Sequence, residues 1–190
     1  AKEMKDRLGT LSGGGRSTSL VGEAPFIGTF HGLGMRILKN EGHVIGRSVG
    51  FSIFDEDDAL SLIRKIIKRK GSGERFAPGK IKGVIGKVKS RLLVPDDALE
   101  GIMREMFDAY EEALKDSNAF DFDDLIQKVV SIFRSHPHVL ARYVGAFSHI
   151  LVDEYQDVNT AQYELIRLLA GSHRNISVVG VDAQAIYGWR

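Results

Sequence analysis

Two adjacent acids, Asp153 and Glu154, directly follow a short apolar run at residues 149–152. About twenty residues later a second apolar run, residues 176–179, ends at Gly180 in a polar and aromatic tail that contains Gln184. The segment between the runs has the helical period, with Ile166 on its apolar stripe. This pattern predicts strand–helix–strand.

Such a crossover joins two parallel strands, and ligands of open parallel sheets bind beyond the carboxyl ends of the strands. We therefore expect Asp153, Glu154, Asp182 and Gln184 to emerge at one edge. A hydrated Mg²⁺ prefers one or two carboxylates together with substrate phosphates, which suits the acid pair. The alternative is that the two acids merely end a strand and keep its tip in water.

The longer pattern favours the functional interpretation. The sequence DEYQD is followed, after one βα unit, by Q-x-I-Y-x-W-R, at residues 184–190. Together these resemble the Walker B motif and the motif after it in the UvrD/PcrA/Rep-like superfamily 1 DNA helicases. The resemblance implies that Asp153 holds Mg²⁺ on the phosphates of ATP and that Glu154, within the same metal site, orients or deprotonates the attacking water. It further implies that Gln184 senses the γ-phosphate and that Arg190 lies between the nucleotide and the DNA.

The same resemblance implies a track for single-stranded DNA. Tyr187 and Trp189 would form a surface on which bases stack with little sequence preference. The sequence T-F-H at Thr29, Phe30 and His31 is similar to a family motif that lines the DNA channel, so these residues would contact phosphate and base. Residues 1–8 have the composition of the second half of a helix and resemble the end of another DNA-contacting segment of the family. The chain is expected to begin inside that segment.

Two departures from the family pattern stand out. The family usually has G-D-x-D-Q, whereas this chain has Val181 and Ala183 at the two acid positions. We expect either a different turn or altered coupling through Gln184. The Gly-rich residues 9–22 do not form a Walker A motif, since Thr10 stands where Gly is needed and Arg16 where Lys is needed. They are interpreted as a linker.

The charge of the chain is strongly segregated. Residues 64–91 contain eleven Lys or Arg and one acid, and residues 92–126 contain eleven acids and two bases. Helices are predicted at residues 55–70, from Pro78 onwards, and at 95–115. The second would point four lysines outward, and we expect them to contact the DNA backbone: Lys80, Lys82, Lys87 and Lys89. A solvated basic face is the alternative. The acids of D-F-D-D-L are interpreted as the start of a helix and not as a metal site.

Composition bounds the remaining possibilities. The 190 residues are 43% hydrophobic and 27% charged, with a net charge of +1 and no cysteine, so disulfides and thiolate metal sites are excluded. No apolar stretch is long enough to span a bilayer, and a cytoplasmic protein with no membrane partner is expected.

The sequence thus predicts an α/β fold, a partial RecA-like P-loop NTPase parallel sheet with an inserted all-helical subdomain. The motor parts are expected at residues 1–43 and 119–190 and the insertion at 44–118. The predicted function is that of a fragment of an ATP-dependent 3′-to-5′ DNA helicase that uses ATP and Mg²⁺ and acts on single-stranded and duplex DNA. Without Walker A, the isolated chain is expected to be inactive.

Two other classes of function are alternatives to the motor. The chain could be a standalone DNA-binding module that has lost motor activity. A Mg²⁺-dependent nuclease using Asp153 and Glu154 is disfavoured, because no third carboxylate or lysine follows at nuclease-like spacing.

Overall fold

A computed structural model of the chain describes residues 25–71 and 76–181. Helices and parallel strands are mixed along the chain. In order, the elements are α1 (Phe30–Glu41), a 3₁₀ turn (Gly42–Ile45), β1 (Ser52–Phe54), α2 (Glu56–Arg69), α3 (Pro78–Ser90), α4 (Pro95–Ala98), α5 (Gly101–Asp116), β2 (Ala119–Asp121), α6 (Asp124–Ser135), α7 (Pro137–Ala146), β3 (Ile150–Val152), a 3₁₀ turn (Tyr155–Asp157), α8 (Thr160–Ala170) and β4 (Ile176–Val178).

The strands of the described residues form two parallel pairs. Strand β1 pairs with β2, and β3 pairs with β4 with Val152 opposite Val178. Helix α8 connects β3 to β4, so the predicted strand–helix–strand unit is confirmed. Helices with small parallel sheets are consistent with the predicted α/β class.

Local sequence signals explain where several helices begin. The side chain of Asp55 accepts a hydrogen bond from the backbone of Asp58, whose side chain accepts one in return, and this capping box starts α2. Asn159 and Gln162 form the same arrangement at the start of α8. At α1, the hydroxyl of Thr29 accepts a hydrogen bond from the backbone N–H of Gly32.

Three predicted elements differ from the observed ones. The block 44–118 was predicted to be all-helical, but it contains β1, whose three residues are too short to show a periodic pattern. The predicted helix 95–115 is interrupted, because Leu99 is buried in an extended conformation and Gly101 has a φ of +51° that favours glycine. The strand predicted at the start of residues 26–38 is not observed, and α1 begins at Phe30.

Two hydrophobic clusters meet at β2. Phe120, fully buried, belongs to a cluster with α1, α6, α7 and α8. Its neighbour Ala119 belongs to a second cluster with α2, α3 and α5. Successive residues of a strand point to opposite faces, so β2 divides the two clusters. Close packing of α1 on α6 depends on Gly34, where a Cβ would overlap with the carbonyl oxygen of Leu125.

Candidate functional site

The acid pair lies at the carboxyl end of β3. Asp153 and Glu154 follow Val152 directly and are exposed, beside the carboxyl end of the parallel strand β4. The backbone N–H of Val179 donates to the carbonyl oxygen of Val152 at 2.8 Å, which extends the pairing to the tip of the strand. The predicted position of the two acids at a strand end is therefore confirmed. Asp182 and Gln184 lie outside the described residues.

The backbone turns sharply at the second acid. Glu154 has a φ of +51° and a ψ of +44°, the left-handed conformation, which is uncommon for a residue other than glycine. Its N–H donates to the Oδ1 of Asp153 at 2.9 Å. Such a conformation costs on the order of 1–3 kcal/mol and persists only where the surroundings enforce it. The turn thereby fixes the backbone positions from which the two side chains leave the strand end.

Gln156 ties this turn to the end of β4. Its Nε2 donates to the Oε2 of Glu154 at 2.5 Å, and its Oε1 accepts from the backbone N–H of Val181 at 3.1 Å. The N–H of Tyr155 also donates to the carbonyl oxygen of Val179 at 2.9 Å. The sequence interpretation did not single out Gln156, since a glutamine within a turn gives no signal of its partners.

The two carboxylates of the acid pair suit a hard divalent cation only if other ligands complete its coordination. Within residues 25–71 and 76–181 there is no group of three or more His, Cys, Asp or Glu that could hold a metal ion by itself. One or two carboxylates that share Mg²⁺ with phosphates and water are, however, the usual arrangement for this ion. Asp153 and Glu154 fit that limited role.

The T-F-H residues occupy the start of α1. Thr29 is exposed and caps the helix, while Phe30 is partly buried against the first hydrophobic cluster. The ring of His31 lies 5.4 Å from the ring of Phe122, which is 54% exposed. An exposed phenylalanine beside these residues offers a stacking surface that the sequence interpretation missed; an aromatic residue within the acidic D-F-D-D-L run was the available signal.

Helix α3 presents only part of its predicted basic surface. Lys80 and Lys87 are exposed and Lys82 is partly exposed. We call these three residues the basic face of α3. Lys89 was predicted to lie outward with them, and that prediction is wrong, because the residue is 2% exposed. Lys89 follows Ile85 by four residues, which places it on the buried side of the helix.

The ammonium of Lys89 is the centre of a buried ion cluster. Its Nζ lies 2.6 Å from Glu111, 2.8 Å from Asp121 and 2.8 Å from Asp124. Lys128 lies at the edge of the cluster, 2.5 Å from Glu111. The aligned hydrogen bond of Lys89 goes to Asp121, whereas the nearest oxygens of Glu111 and Asp124 meet it as ion pairs. Asp121 and Asp124 of D-F-D-D-L are thus engaged by Lys89. The helix predicted to start at these acids begins at Asp124, because Asp121 belongs to β2.

Burial and charge act in opposite directions in this cluster. Burial disfavours the charge of Lys89, but the carboxylates of Asp124, Asp121 and Glu111 outweigh it and hold the lysine pKa well above its usual value. Burial and the nearby Asp124 raise the pKa of Asp121 to about 6. Burial also opposes ionisation of Asp124, yet Lys89 and Lys128 lower its pKa overall. The charged forms of Lys89 and Asp124 are therefore favoured in the folded protein.

The remaining predicted site residues, Tyr187, Trp189 and Arg190, lie outside the described residues, as does Gln184. In the parts of the chain that the structure describes, no helix is long and apolar enough to cross a membrane.

The parallel βαβ unit makes the chain an α/β protein. The two carboxylates at the carboxyl end of its strands form a candidate site for Mg²⁺ and phosphate. The family model described as UvrD/REP helicase N-terminal domain matches residues 1–190. The chain belongs to this family, as the resemblance of its motifs predicted.

Individual relatives agree with the family match. The chain is 37% identical over 198 residues to the ATP-dependent DNA helicase PcrA of Leuconostoc citreum, a match that covers 100% of the chain and 26% of that protein. It is 36% identical to PcrA of Staphylococcus aureus strain Mu50 and 37% identical to PcrA of Staphylococcus epidermidis, with the same coverage. The chain thus spans about a quarter of the length of the curated relatives that it matches.

Proposed function

We propose that this chain is a portion of an ATP-dependent DNA helicase and carries the acids for Mg–ATP hydrolysis together with part of the DNA track. The single observation that carries the proposal is the position of Asp153 and Glu154 at the carboxyl end of β3, beside the carboxyl end of β4. The relatives named as ATP-dependent DNA helicases support it.

In this proposal Asp153 holds Mg²⁺, and Glu154 shares that site and accepts a proton from the attacking water. Mg²⁺ bound with ATP supplies charge neutralisation at the phosphates. Gln184 and Arg190 are proposed to contact the nucleotide from the segment after β4. The left-handed turn at Glu154 supports the assignment, since it holds the backbone of two adjacent acids in a fixed conformation at the strand end.

For the DNA track we propose Thr29, Phe30, His31, Tyr187 and Trp189. The exposure of Thr29 at the start of α1 and the contact between the rings of His31 and Phe122 support this assignment. We add Phe122 as a stacking residue, because its ring is more than half exposed and lies beside His31. Movement in the 3′-to-5′ direction is proposed on the family resemblance.

We further propose that residues 1–43 and 119–190 are parts of a RecA-like motor domain and that residues 44–118 are an inserted, mainly helical subdomain. The separation of the two hydrophobic clusters at β2 supports this division. The basic face of α3 lies on the insertion, and we propose that it contacts the backbone of duplex DNA.

The test is steady-state ATP hydrolysis by the complete protein with and without single-stranded DNA. The variant Glu154→Gln keeps the size of the side chain and removes the base, so the turnover rate should fall by a factor on the order of 100 or more. DNA binding should be unchanged, which serves as the control for folding. A complete protein that binds DNA but never turns over ATP would instead indicate the standalone DNA-binding module. The 190-residue chain alone is expected to hydrolyse no ATP, since it contains no Walker A sequence.

A further inference from the structure

We propose that Gln156 is a positioning residue that fixes the carboxylate of Glu154 and links it to the backbone leaving β4. This inference rests on the proposed function, in which Glu154 is the base. Gln156 itself is not proposed to contact ATP or the water. It would act through the two hydrogen bonds of its side-chain amide, one to each side of the site edge.

The two bonds have opposite polarity. One end of the amide donates to the Oε2 of Glu154 at 2.5 Å, and the other end accepts from the N–H of Val181 at 3.1 Å. Reversing the amide would place its oxygen against a carboxylate and its NH₂ against a backbone donor, so both contacts require the orientation described. Among side chains of this length, only glutamine can donate to a carboxylate and accept from an amide at once. Glutamate would repel Glu154, and leucine would fill the space without either bond.

The packing around the amide shows that the space is reserved for it. A Cβ added to Gly180 would lie 2.5 Å from the Oε1 of Gln156 and 3.2 Å from the backbone nitrogen of Tyr155. Real Cβ atoms do not approach other atoms at 2.5 Å, so any larger residue at Gly180 would push the amide away. The absence of a side chain at Gly180 therefore lets the turn after β3 and the chain after β4 come into direct contact.

The consequence for Glu154 is a restricted side chain. Glu154 is exposed, and an exposed glutamate samples several rotamers unless a partner holds it. The bond from Gln156 engages one carboxylate oxygen and limits that sampling. Catalysis depends on holding reacting groups in position before the reaction, and a displacement of about 1 Å can cost roughly a hundredfold in rate. The bond to Val181 makes this position depend on the segment that continues to Gln184.

The experiment compares variants of the complete protein in DNA-stimulated ATP hydrolysis, with kcat and KM determined separately. Gln156→Leu removes both hydrogen bonds at similar size, and Gln156→Glu removes the donor and adds a charge. Gly180→Ala displaces the same amide from the other side and serves as an independent second route. The matched control is Gln127→Leu, because Gln127 lies on α6 and its side-chain oxygen has no hydrogen-bond partner among the described residues. Thermal unfolding is followed for every variant.

Both Gln156 variants are expected to lower kcat by roughly tenfold to a hundredfold, with KM for ATP and the thermal midpoint close to those of the unsubstituted protein. Gly180→Ala should lower kcat in the same direction, and Gln127→Leu should not. A residue that only stabilises the fold would change the midpoint and leave the kcat of the folded protein intact. Unchanged kcat in Gln156→Leu, with active unsubstituted protein, would overturn this inference alone. Lack of turnover by the unsubstituted protein would overturn the proposed function as well.

Discussion

Replacing Lys89 by methionine isolates the contribution of the buried ion cluster. Methionine retains most of the aliphatic length of lysine but has no charge, so the packing of α3 should be largely preserved. The carboxylates of Glu111, Asp121 and Asp124 would lose a cation that lies within 2.8 Å of each of them. The side chain of Asp124 is fully buried, so water cannot replace that cation without rearrangement.

The expected cost is set by leaving these charges buried without their partner. Removing one member of a buried ion pair typically destabilises a protein by about 3–5 kcal/mol. Lys128 remains 2.5 Å from Glu111 and 3.6 Å from Asp124, and it would compensate in part. We therefore expect the free energy of unfolding to fall by about 3 kcal/mol, the lower end of that range. For a chain of this size this corresponds to a fall of roughly 6–12 °C in Tm.

The assay is chemical denaturation of the 190-residue chain followed by circular dichroism, with Lys87→Met as the matched control. Lys87 lies on the same helix and is exposed, so its variant should differ from the unsubstituted chain by less than about 0.5 kcal/mol. The decrease in the free energy of unfolding caused by Lys89→Met should be smaller at pH 5 than at pH 8. Without the lysine, burial would raise the pKa of these carboxylates above the value in the unfolded chain. The folded state would then become less stable as the pH rises and the carboxylates ionise.

Equal stability of the two methionine variants would refute the reasoning, since it would mean that Lys89 is not the cation of a buried cluster. A measurable decrease in DNA affinity for Lys89→Met, with unchanged stability, would restore the original prediction that this residue faces DNA.

Three further outcomes follow from the described contacts. A hydrogen bond from Arg167, together with Arg134, lowers the pKa of Glu164 to about 2. Ionised Glu164 therefore stabilises the fold fully above its usual pKa of 4.5, and this contribution is lost as the pH falls towards 2. Because both arginines are largely exposed, Glu164→Gln should remove only about 1 kcal/mol at pH 7 and flatten the acid limb of a stability profile. Phe122→Ala should weaken single-stranded DNA binding by about 1–3 kcal/mol, and unchanged affinity would remove Phe122 from the track. Alanine substitution of the whole basic face of α3 should reduce the salt dependence of duplex binding by about 0.9 in slope per lost phosphate contact, and an unchanged slope would leave this face merely solvated.

The strand–helix–strand unit and its acid pair could be predicted from the sequence because the signals are local. The apolar run before Asp153, the helical period between the strands and the cap at Asn159 each involve residues close together in the chain. Short strands without such a pattern were not predictable in this way. Strand β1 exists because Ser52 and Phe54 meet Ala119 and Asp121, which lie far along the chain.

What the sequence alone determined is therefore the family, the position of the acid pair and the βαβ unit that holds it. The tertiary structure decided the burial of Lys89, whose hydrogen-bonded partner Asp121 is 32 positions away. It also decided the link from Gln156 to Val181, 25 positions away, and the contact of Phe122 with His31. The physical reason is that helical and strand periods report which face of an element is apolar, whereas the partners of a polar side chain depend on which elements pack together.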